Sequence, residues 1–398
     1  MTVRLAHVQL LPLITGVQTV TLEELRRIDR SVFEPWIICQ GPGPLTEAAE
    51  AAGIQCLYVP DLVRKISPAR DSRALFQLRS VLREKQFDIV HTHSSKTGIL
   101  GRVAGRLAGV PVVMHTVHGY AFPAARGSSE RLLFHGIEYL GARCCDAMVV
   151  LKEDDRLLAR NTLHFAASKL HLLPNGVDVS RYRPRATPER DRLRRERLGI
   201  GSGTFAVGMV GRLWPQKNPA TLLEAVPKLL AGTKANVAVY FIGDGELRET
   251  LEARVAELGL QKRVTFLGWR TDVPELLAAL DVFALPSRWE GLPLAILEAL
   301  SSAVPVVASD IAGNRDAVNN GVDGLLFADG DSNQMAACLS RLANDPNLRR
   351  SMSTAGRGKI EADYRLEDRV ARMERLYLQL LRERAPERLN GFSYKHAG

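Results

Sequence analysis

The sequence predicts an α/β protein made of two halves, each a parallel sheet covered by helices. Short β-branched or apolar runs alternate with helical patterns along the chain, which is typical of parallel strands joined by crossover helices. The chain of 398 residues is long for one core and favours two domains. A basic stretch between Pro174 and Arg197 separates the two sets of runs. We therefore predict two Rossmann-like halves.

The first half holds six predicted strands, with helical patterns between them such as Arg73–Glu84 and Thr97–Leu107. Each strand is a short run rich in β-branched or other apolar residues, which favours a buried strand. The predicted strands are Leu5–Leu10, Trp36–Cys39, Gln55–Val59, Ile89–Thr92, Val112–Thr116 and Ala147–Leu151.

The second half holds five predicted strands and ends in an amphipathic helical pattern, Leu366–Leu381. We predict an N-terminal domain over 1–175, a C-terminal domain over 176–380 whose last helix packs back towards the first domain, and a tail over 381–398. Ligands of open parallel sheets bind at the carboxyl ends of the strands, so the chemistry is expected in a cleft between the halves. The strands are Phe205–Val210, Ala238–Ile242, Val264–Leu267, Val282–Leu285 and Val306–Ala308.

The composition argues against several classes of protein. The formal charge is +9, but aromatic residues make up 6%, and the densest basic stretch, Arg181–Arg197, alternates with Pro, Glu and Asp. That stretch is interpreted as a solvated linker and helix face, and no nucleic-acid partner is expected. The five cysteines include no C-x-x-C pair, which argues against a disulfide framework or a zinc site and for a reducing compartment.

The N-terminus superficially fits a signal peptide, because Arg4 precedes an apolar run from Leu5 to Val17. That run contains His7 and other polar residues and lacks an A-x-A cleavage site, so a first strand and its loop fit better. No window of 18 apolar residues is present, and we expect a cytoplasmic protein.

Two cations follow the first strand of the second half. Arg212 and Lys217 lie in a polar loop after Gly211, before a helix that starts near Pro219. A planar guanidinium and an ammonium together suit two phosphate groups. The alternative is a pair of ordinary surface cations.

A second loop and helix carry two glutamates. The apolar strand ends at Pro286, and Gly291 would let backbone N–H groups approach a diphosphate at the positive end of the next helix. Glu298 inside that helix could accept hydrogen bonds from ribose hydroxyls, and Glu290 in the loop could bind a sugar. The alternative is two solvated glutamates beside a helix N-terminus.

Taken together, Glu290-x₇-Glu298, Gly211-Arg212 and Lys217 resemble the retaining glycosyltransferases of family 4, which have the GT-B fold. The resemblance extends through Asn175–Asp178, Gly243–Gly245 and Phe266–Gly268 and covers most of the chain. It implies that Arg212 and Lys217 bind the donor diphosphate, Glu298 the ribose and Glu290 the transferred sugar. It also implies donor contacts at Gly291, Leu292 and Leu294, and contacts of the backbone at 268–270 with the base.

In the first half, His118 before Gly119 matches the family's active-site histidine beside the donor sugar. Its implied role is to bind a sugar hydroxyl and to help stabilise charge near the anomeric carbon. Gly16 matches the first-loop glycine that approaches the diphosphate. Here the chain departs from the family, since many members have two adjacent glycines where this chain has Thr15-Gly16-Val17.

The histidines also allow a metal site, because His91 and His93 share a strand face and His115 and His118 lie at the end of another. No adjacent carboxylate completes such a site, and neutral structural histidines are common. The triplet 329–331, Asp-Gly-Asp, is assigned to a turn. No metal or other cofactor is expected, since the nucleotide-sugar is a co-substrate.

Several stretches of the first half resemble the capsule and O-antigen branch of the family, among them 65–71, 91–96 and 115–122. Members of that branch extend undecaprenyl-diphosphate-linked saccharides at the inner membrane face. This implies a UDP-sugar donor, a lipid-linked saccharide acceptor and a peripheral location on the inner face of the plasma membrane. Six basic residues could face anionic headgroups or simply lie on a solvated helix: Arg64, Lys65, Arg70, Arg73, Arg79 and Arg83.

The expected activity is transfer of a hexosyl unit with retention. Three alternatives remain open on the sequence. A nucleotide-sugar epimerase shares the two-domain architecture and needs no acceptor. A dehydrogenase would need G-x-G-x-x-G, and the stretch Gly243–Arg248 lacks the third glycine. A non-catalytic sugar-binding protein would bind nucleotide without turnover.

Overall fold

The structure is a computed structural model that describes residues 2–120 and 127–389, apart from the side chains of 129 and 130. The chain divides into two compact units. The first comprises Met1–Asn175 together with Glu367–Gly398, and the second comprises Gly176–Leu366.

The first unit is built on a seven-stranded sheet in the order β3-β2-β1-β4-β5-β6-β7, with every neighbouring pair parallel. Its central strands are buried on both faces, as covered parallel sheets require. The elements are β1 (Val3–Val8), α1 (Gly16–Arg27), β2 (Phe33–Cys39), α2 (Pro44–Glu50), β3 (Gln55–Tyr58), α3 (Pro68–Glu84), β4 (Ile89–His93), α4 (Ser95–Ala108), β5 (Val112–Val117), α5 (Ser128–Arg143), β6 (Ala147–Val150), α6 (Glu153–Asn161) and β7 (Leu170–Leu172).

The second unit is built on a six-stranded parallel sheet in the order β10-β9-β8-β11-β12-β13. Its elements are α7 (Thr187–Leu193), β8 (Thr204–Val210), α8 (Pro219–Gly232), β9 (Asn236–Ile242), α9 (Arg248–Glu257), β10 (Val264–Gly268), α10 (Val273–Ala279), β11 (Val282–Leu285), α11 (Leu294–Ser301), β12 (Val306–Ser309), α12 (Ala312–Ala317), β13 (Gly324–Phe327), α13 (Ser332–Asn344) and α14 (Pro346–Asp363).

The two predicted parallel sheets are confirmed, and each of the eleven predicted strands lies within three residues of an observed one. The sequence missed β7 and β13. Both are short edge strands, which pair on one side and need fewer apolar residues than a central strand.

The last helix, α15 (Leu366–Arg384), lies mostly in the first unit, where Tyr377 and Leu381 join the core beneath the sheet. The sequence placed the start of a tail at residue 381, but the helix runs three residues further and a 3₁₀ turn follows at Pro386–Leu389. Arg384 pairs with Asp146 at 2.9 Å, which helps to hold this end of the chain. The rest of the expected tail, 390–398, lies outside the described residues.

A largely buried carboxylate joins three segments of the second unit. Asp281 accepts hydrogen bonds from Arg194 at 3.1 Å, from Arg190 at 2.8 Å and from the backbone N–H of Ala206 at 2.8 Å. Arg194 is buried, so the interpretation of 181–197 as wholly solvated was wrong at this residue. Its guanidinium enters the core because backbone carbonyls and Asp281 accept hydrogen bonds from its two terminal nitrogens.

In the part of the chain that the structure describes, no helix is both long enough and apolar enough to cross a membrane.

Asp281→Ala is expected to lower the free energy of unfolding by about 3–5 kcal/mol, because it leaves Arg194 buried without its counter-charge. Urea unfolding followed by circular dichroism measures this. The matched control is Glu196→Ala, which removes the exposed partner of Arg192 and should cost about 0–1 kcal/mol. An equal loss of unfolding free energy in the two variants would contradict the role of Asp281 as the counter-charge of Arg194.

Candidate active site

The strand order of the second unit reverses between β8 and β11, which are neighbours although β9 and β10 separate them in the chain. Such a reversal opens a crevice at the carboxyl ends of the two strands, where open α/β sheets bind their ligands. The loop after β8 carries Arg212 and Lys217, and the loop after β11 carries Glu290 and Gly291. The predicted donor residues of this unit therefore lie at its topological switch point.

The two loops are bound to each other. The Nζ of Lys217 lies 2.6 Å from Oε1 of Glu290, and both side chains are largely buried. The backbone N–H of Arg288 donates to the carbonyl of Gln216 at 2.8 Å, and the side chain of Gln216 donates to the carbonyl of Trp289 at 2.8 Å. The structure thus brings the predicted phosphate-binding cation against the predicted sugar-binding carboxylate.

Arg212 lies in the same loop as Lys217 and is exposed. Its guanidinium carbon lies 4.9 Å from the centre of the Trp214 ring, a cation–π distance that orients the planar cation. An exposed, oriented guanidinium is suited to binding an anion.

The helix α11 follows the second loop. Leu294 is its first residue, and Pro293 at the N-cap position offers no side-chain hydrogen bond to the first turn. Backbone N–H groups of Gly291, Leu292 and Leu294 lie at the positive end of the helix, a suitable environment for an anion. Glu298 lies one turn after Leu294 on the same helix face and is half-buried, while Leu292 is buried.

Glycines hold these loops by close backbone contact. A methyl group on Gly243 would collide with the carbonyl oxygen of Gly211, and one on Gly245 would collide with that of Leu213. A methyl group on Gly313 would likewise collide with the carbonyl oxygens of Glu290 and Gly291. The Gly243–Gly245 motif is thus explained by packing beneath the loop that carries the cations.

In the first unit, Gly16 and His118 lie at the carboxyl ends of β1 and β5. Gly16 is exposed and opens α1, and a methyl group there would meet no described atom within 4 Å. His118 is half-buried, and its Nε2 lies 3.1 Å from Nδ1 of His93. The pKa of His118 is lowered to about 3, chiefly by burial and also by the nearby Arg369 guanidinium, so its ring is neutral at pH 7.

The sequence missed His7, which β1 places beside His91 and His93 of β4. Nitrogens of these three rings lie within 4.8 Å of one another, close enough to hold a metal ion. In the structure, however, they take part in hydrogen bonds, including one of 2.9 Å between Nδ1 of His7 and Nε2 of His93. A histidine among the apolar residues at the end of β1 was the signal that could have identified His7.

The four histidines weighed as metal ligands on the sequence do not all lie on one face of the sheet. His115 lies on the opposite face of the sheet, where its Nδ1 is 2.9 Å from the hydroxyl of Thr92. The triplet 329–331 forms a turn and a helix cap, because Asp331 accepts hydrogen bonds from the backbone N–H groups of Asn333 and Gln334 at the start of α13.

Four fully buried histidines are expected to make folding sensitive to acid. Burial lowers the pKa of His7 to about 3 and holds the pKa values of His91, His93 and His115 well below 6.5. Below about pH 6.5 the unfolded chain binds protons that the folded state excludes, so stability is complete above that pH and falls as the pH falls. Four such groups cost together about 5 kcal/mol per pH unit in that window.

Urea unfolding at about pH 7.5, 6.5 and 5.5 measures this slope. The matched control is His164→Asn, since His164 is exposed and has a φ of +50°, which Asn tolerates. It should leave the slope unchanged. A free energy of unfolding that stays constant across this range would show that the four histidines are not neutral and buried as described.

Comparison with known proteins shows that both units match glycosyltransferase families. Residues 14–181 match the family described as Glycosyltransferase Family 4, and residues 191–359 match the family described as Glycosyl transferases group 1. UDP-Gal:alpha-D-GlcNAc-diphosphoundecaprenol alpha-1,3-galactosyltransferase of Escherichia coli is 40% identical over 95% of this chain and 97% of its own length. The D-inositol 3-phosphate glycosyltransferase of Salinispora arenicola is 32% identical over 80% of this chain and 72% of its own length.

Solved structures agree on the fold. The structure of Anabaena Alr3699/HepE in complex with UDP superimposes with a TM-score of 0.80 at 21% identity, covering 95% of this chain and all of the other. WaaG, a glycosyltransferase involved in lipopolysaccharide biosynthesis, superimposes with a TM-score of 0.73 at 17% identity, covering 93% and 99% of the two chains. The family matches and the relatives set aside the epimerase, dehydrogenase and binding-protein alternatives. The chain belongs to glycosyltransferase family 4 and is a glycosyltransferase of the GT-B fold.

Proposed function

We propose that this enzyme transfers a hexosyl unit from a UDP-sugar to a lipid-diphosphate-linked saccharide during surface polysaccharide synthesis, with retention at the anomeric carbon. The observation that carries the proposal is the contact between Lys217 and Glu290 at the switch point of the second unit. A cation and a carboxylate held together there suit a substrate that joins a phosphate to a sugar. The Escherichia coli relative supports the choice of UDP-sugar donor and of lipid-linked acceptor.

In this proposal the donor diphosphate is bound by Arg212, Lys217 and the N-terminus of α11, with Gly291, Leu292 and Leu294 bringing backbone N–H groups close. An ammonium has three N–H donors, so Lys217 can keep its bond to Glu290 and also bind a phosphate oxygen. As the bond to the anomeric carbon breaks, negative charge develops on the leaving UDP. Positive groups already in place stabilise that charge without reorganisation.

The other predicted residues are proposed to contact the ribose, the diphosphate and the transferred sugar of the donor. Glu298 accepts hydrogen bonds from the ribose, Glu290 accepts them from the transferred sugar, Gly16 approaches the diphosphate and His118 binds a sugar hydroxyl. The two cations and the helix N-terminus supply the positive charge that the leaving group needs. The reaction is therefore proposed to proceed without a metal or other cofactor.

The acceptor is proposed to be reached at an anionic membrane surface on the cytoplasmic side. An exposed stripe of α3 carries Arg73, Phe76 and Arg83, and Phe76 is 65% exposed. The preceding loop adds Arg64, Lys65 and the exposed Ile66. Basic residues beside exposed apolar ones favour anionic lipid headgroups.

The function is tested by measuring UDP release over a panel of UDP- and GDP-sugars, with and without lipid-diphosphate saccharides. Acceptor-dependent release from a UDP-hexose, with an α-linked product from an α-linked donor, is the expected result. Release from GDP-sugars alone would overturn the donor assignment. Conversion of the donor into a stereoisomer without acceptor would overturn transfer itself.

Within that assay, Lys217→Ala should lower kcat by roughly 10²–10³, the usual effect of removing one preorganised charge contact. Lys262→Ala is the control, because Lys262 is exposed and precedes β10, at the end of the strand opposite to the site. Near-wild-type turnover by a folded Lys217→Ala enzyme would refute the role of this residue.

Membrane association is tested with a variant in which Arg64, Lys65, Arg73 and Arg83 are all changed to Gln. Four lost cations near an anionic surface should weaken binding to phosphatidylglycerol vesicles about 10³-fold, since each is worth about 1 kcal/mol and 1.4 kcal/mol is tenfold. Vesicle co-sedimentation measures this. A control variant removes four exposed cations of the second unit, Lys228, Lys234, Lys262 and Arg341, and the surface is wrongly assigned if both variants bind alike.

A further inference from the structure

Five hydrogen bonds connect six side chains of the first unit into one unbranched chain that ends at His118. Both ring nitrogens of His91, His7 and His93 take part, and the hydroxyl of Tyr377 lies between His91 and His7. In order, the bonds are Thr116 Oγ1 to His91 Nε2 at 2.7 Å, His91 Nδ1 to Tyr377 Oη at 2.6 Å, Tyr377 Oη to His7 Nε2 at 3.2 Å, His7 Nδ1 to His93 Nε2 at 2.9 Å, and His93 Nδ1 to His118 Nε2 at 3.1 Å.

The number of protons restricts how this chain is ordered. A neutral imidazole carries one N–H and one acceptor nitrogen, and a hydroxyl can donate once while it accepts. Each of the five hydrogen bonds needs one proton between its two atoms. A ring that donates from one nitrogen must therefore accept at the other, and this fixes the direction of the next bond. Two arrangements of the protons, called orders below, satisfy all five hydrogen bonds. In one order all four histidines are protonated on Nδ1, and in the other all four are protonated on Nε2.

The end at Thr116 decides between the two orders. Its hydroxyl is fully buried, and among the described residues its side chain has no hydrogen bond besides the one to His91. In the Nδ1–H order this hydroxyl donates to His91, and the one proton left over is the Nδ1–H of the half-buried His118. In the Nε2–H order His91 donates to Thr116, whose own proton is left buried without an acceptor, which is unfavourable.

We propose that Thr116, His91, Tyr377, His7 and His93 form a relay that holds His118 in its Nδ1–H tautomer. The nitrogen of His118 left for a ligand is then a hydrogen-bond donor, directed at the oxygen of a hydroxyl. The proposal rests on the proposed function only in taking that hydroxyl to belong to the donor sugar. The five other residues position His118 and do not themselves touch the substrate.

Burial supports the neutral state that the relay needs. It lowers the pKa of His7 and holds the pKa values of His91 and His93 well below their usual range, and it raises that of Tyr377. An extra proton on His93 would place its Nε2–H against the Nδ1–H of His7, and one on His91 or His7 would displace the hydroxyl proton of Thr116 or Tyr377 from its acceptor. A metal ion between them would instead need lone pairs that the hydrogen bonds already use.

The relay is tested in the full-length enzyme, without substrate, by ¹⁵N NMR of labelled histidine rings. Ring-nitrogen shifts distinguish the two neutral tautomers, and the Nε2–H form is the one that predominates for histidine in water. We expect His118, His93, His7 and His91 all to be in the Nδ1–H form near neutral pH. A predominantly Nε2–H spectrum for His118, or stoichiometric metal found in the purified protein, would overturn the proposal.

Two substitutions break the relay at different points. Tyr377→Phe keeps the ring that packs on Phe33 but removes the link between His91 and His7, and Thr116→Val removes the terminal donor at nearly constant volume. Each should shift the His118 signals towards the Nε2–H form. Thr116→Ser restores the hydroxyl and should restore the wild-type spectrum.

The control for a buried tyrosine hydroxyl is Tyr240→Phe in the second unit, where the hydroxyl donates to the carbonyl of Leu198. It should leave the histidine spectrum unchanged. Unchanged His118 signals in folded Tyr377→Phe would show that Tyr377 only fills space and would overturn the relay.

Activity separates the relay from the proposed function. Tyr377→Phe should lower kcat/KM for the donor roughly fivefold, the effect of weakening one hydrogen bond. The spectra report on the relay whether or not a sugar is transferred. Altered spectra with unaltered kcat/KM would therefore leave the relay standing and refute the contact between His118 and the donor.

Discussion

The site of the second unit depends on backbones that touch without intervening side chains. Gly243 lies against the carbonyl of Gly211, and Gly313 lies against the carbonyls of Glu290 and Gly291. These contacts fix the loops after β8 and β11 before any ligand arrives. Charged side chains on fixed loops lose little freedom when a phosphate binds, which is the condition under which electrostatic stabilisation contributes most to a reaction.

The sequence predicted both parallel sheets and the motif residues because each depends on local pattern. It could not predict the pair formed by Lys217 and Glu290, since that contact depends on the order in which distant strands lie side by side. The contacts of His7 were missed for the same reason, because its neighbours come from the pairing of β1 with β4. Arg194 was missed because its burial depends on carbonyls and a carboxylate far along the chain.

The two units use polar groups in opposite ways. In the second unit Arg212 is exposed and Lys217 is ion-paired with Glu290, so both cations lie at the switch point where an anion can bind. In the first unit burial keeps His118 and the histidines behind it neutral. This division suits a glycosyl transfer, because positive charge develops on the sugar while negative charge develops on the leaving phosphate. A neutral imidazole can bind a sugar hydroxyl without repelling the developing cation.

The first unit is discontinuous, since Glu367 and the residues after it complete a core begun by residues 1–175. A ribosome adding about 5–20 residues per second needs about 10–40 s to make the second unit that lies between these segments. During that time Tyr377 does not yet exist, and the hydrogen bonds that it makes to His7 and His91 are missing. The hydrogen-bonded core of the N-terminal sheet is therefore completed only after α15 has been made.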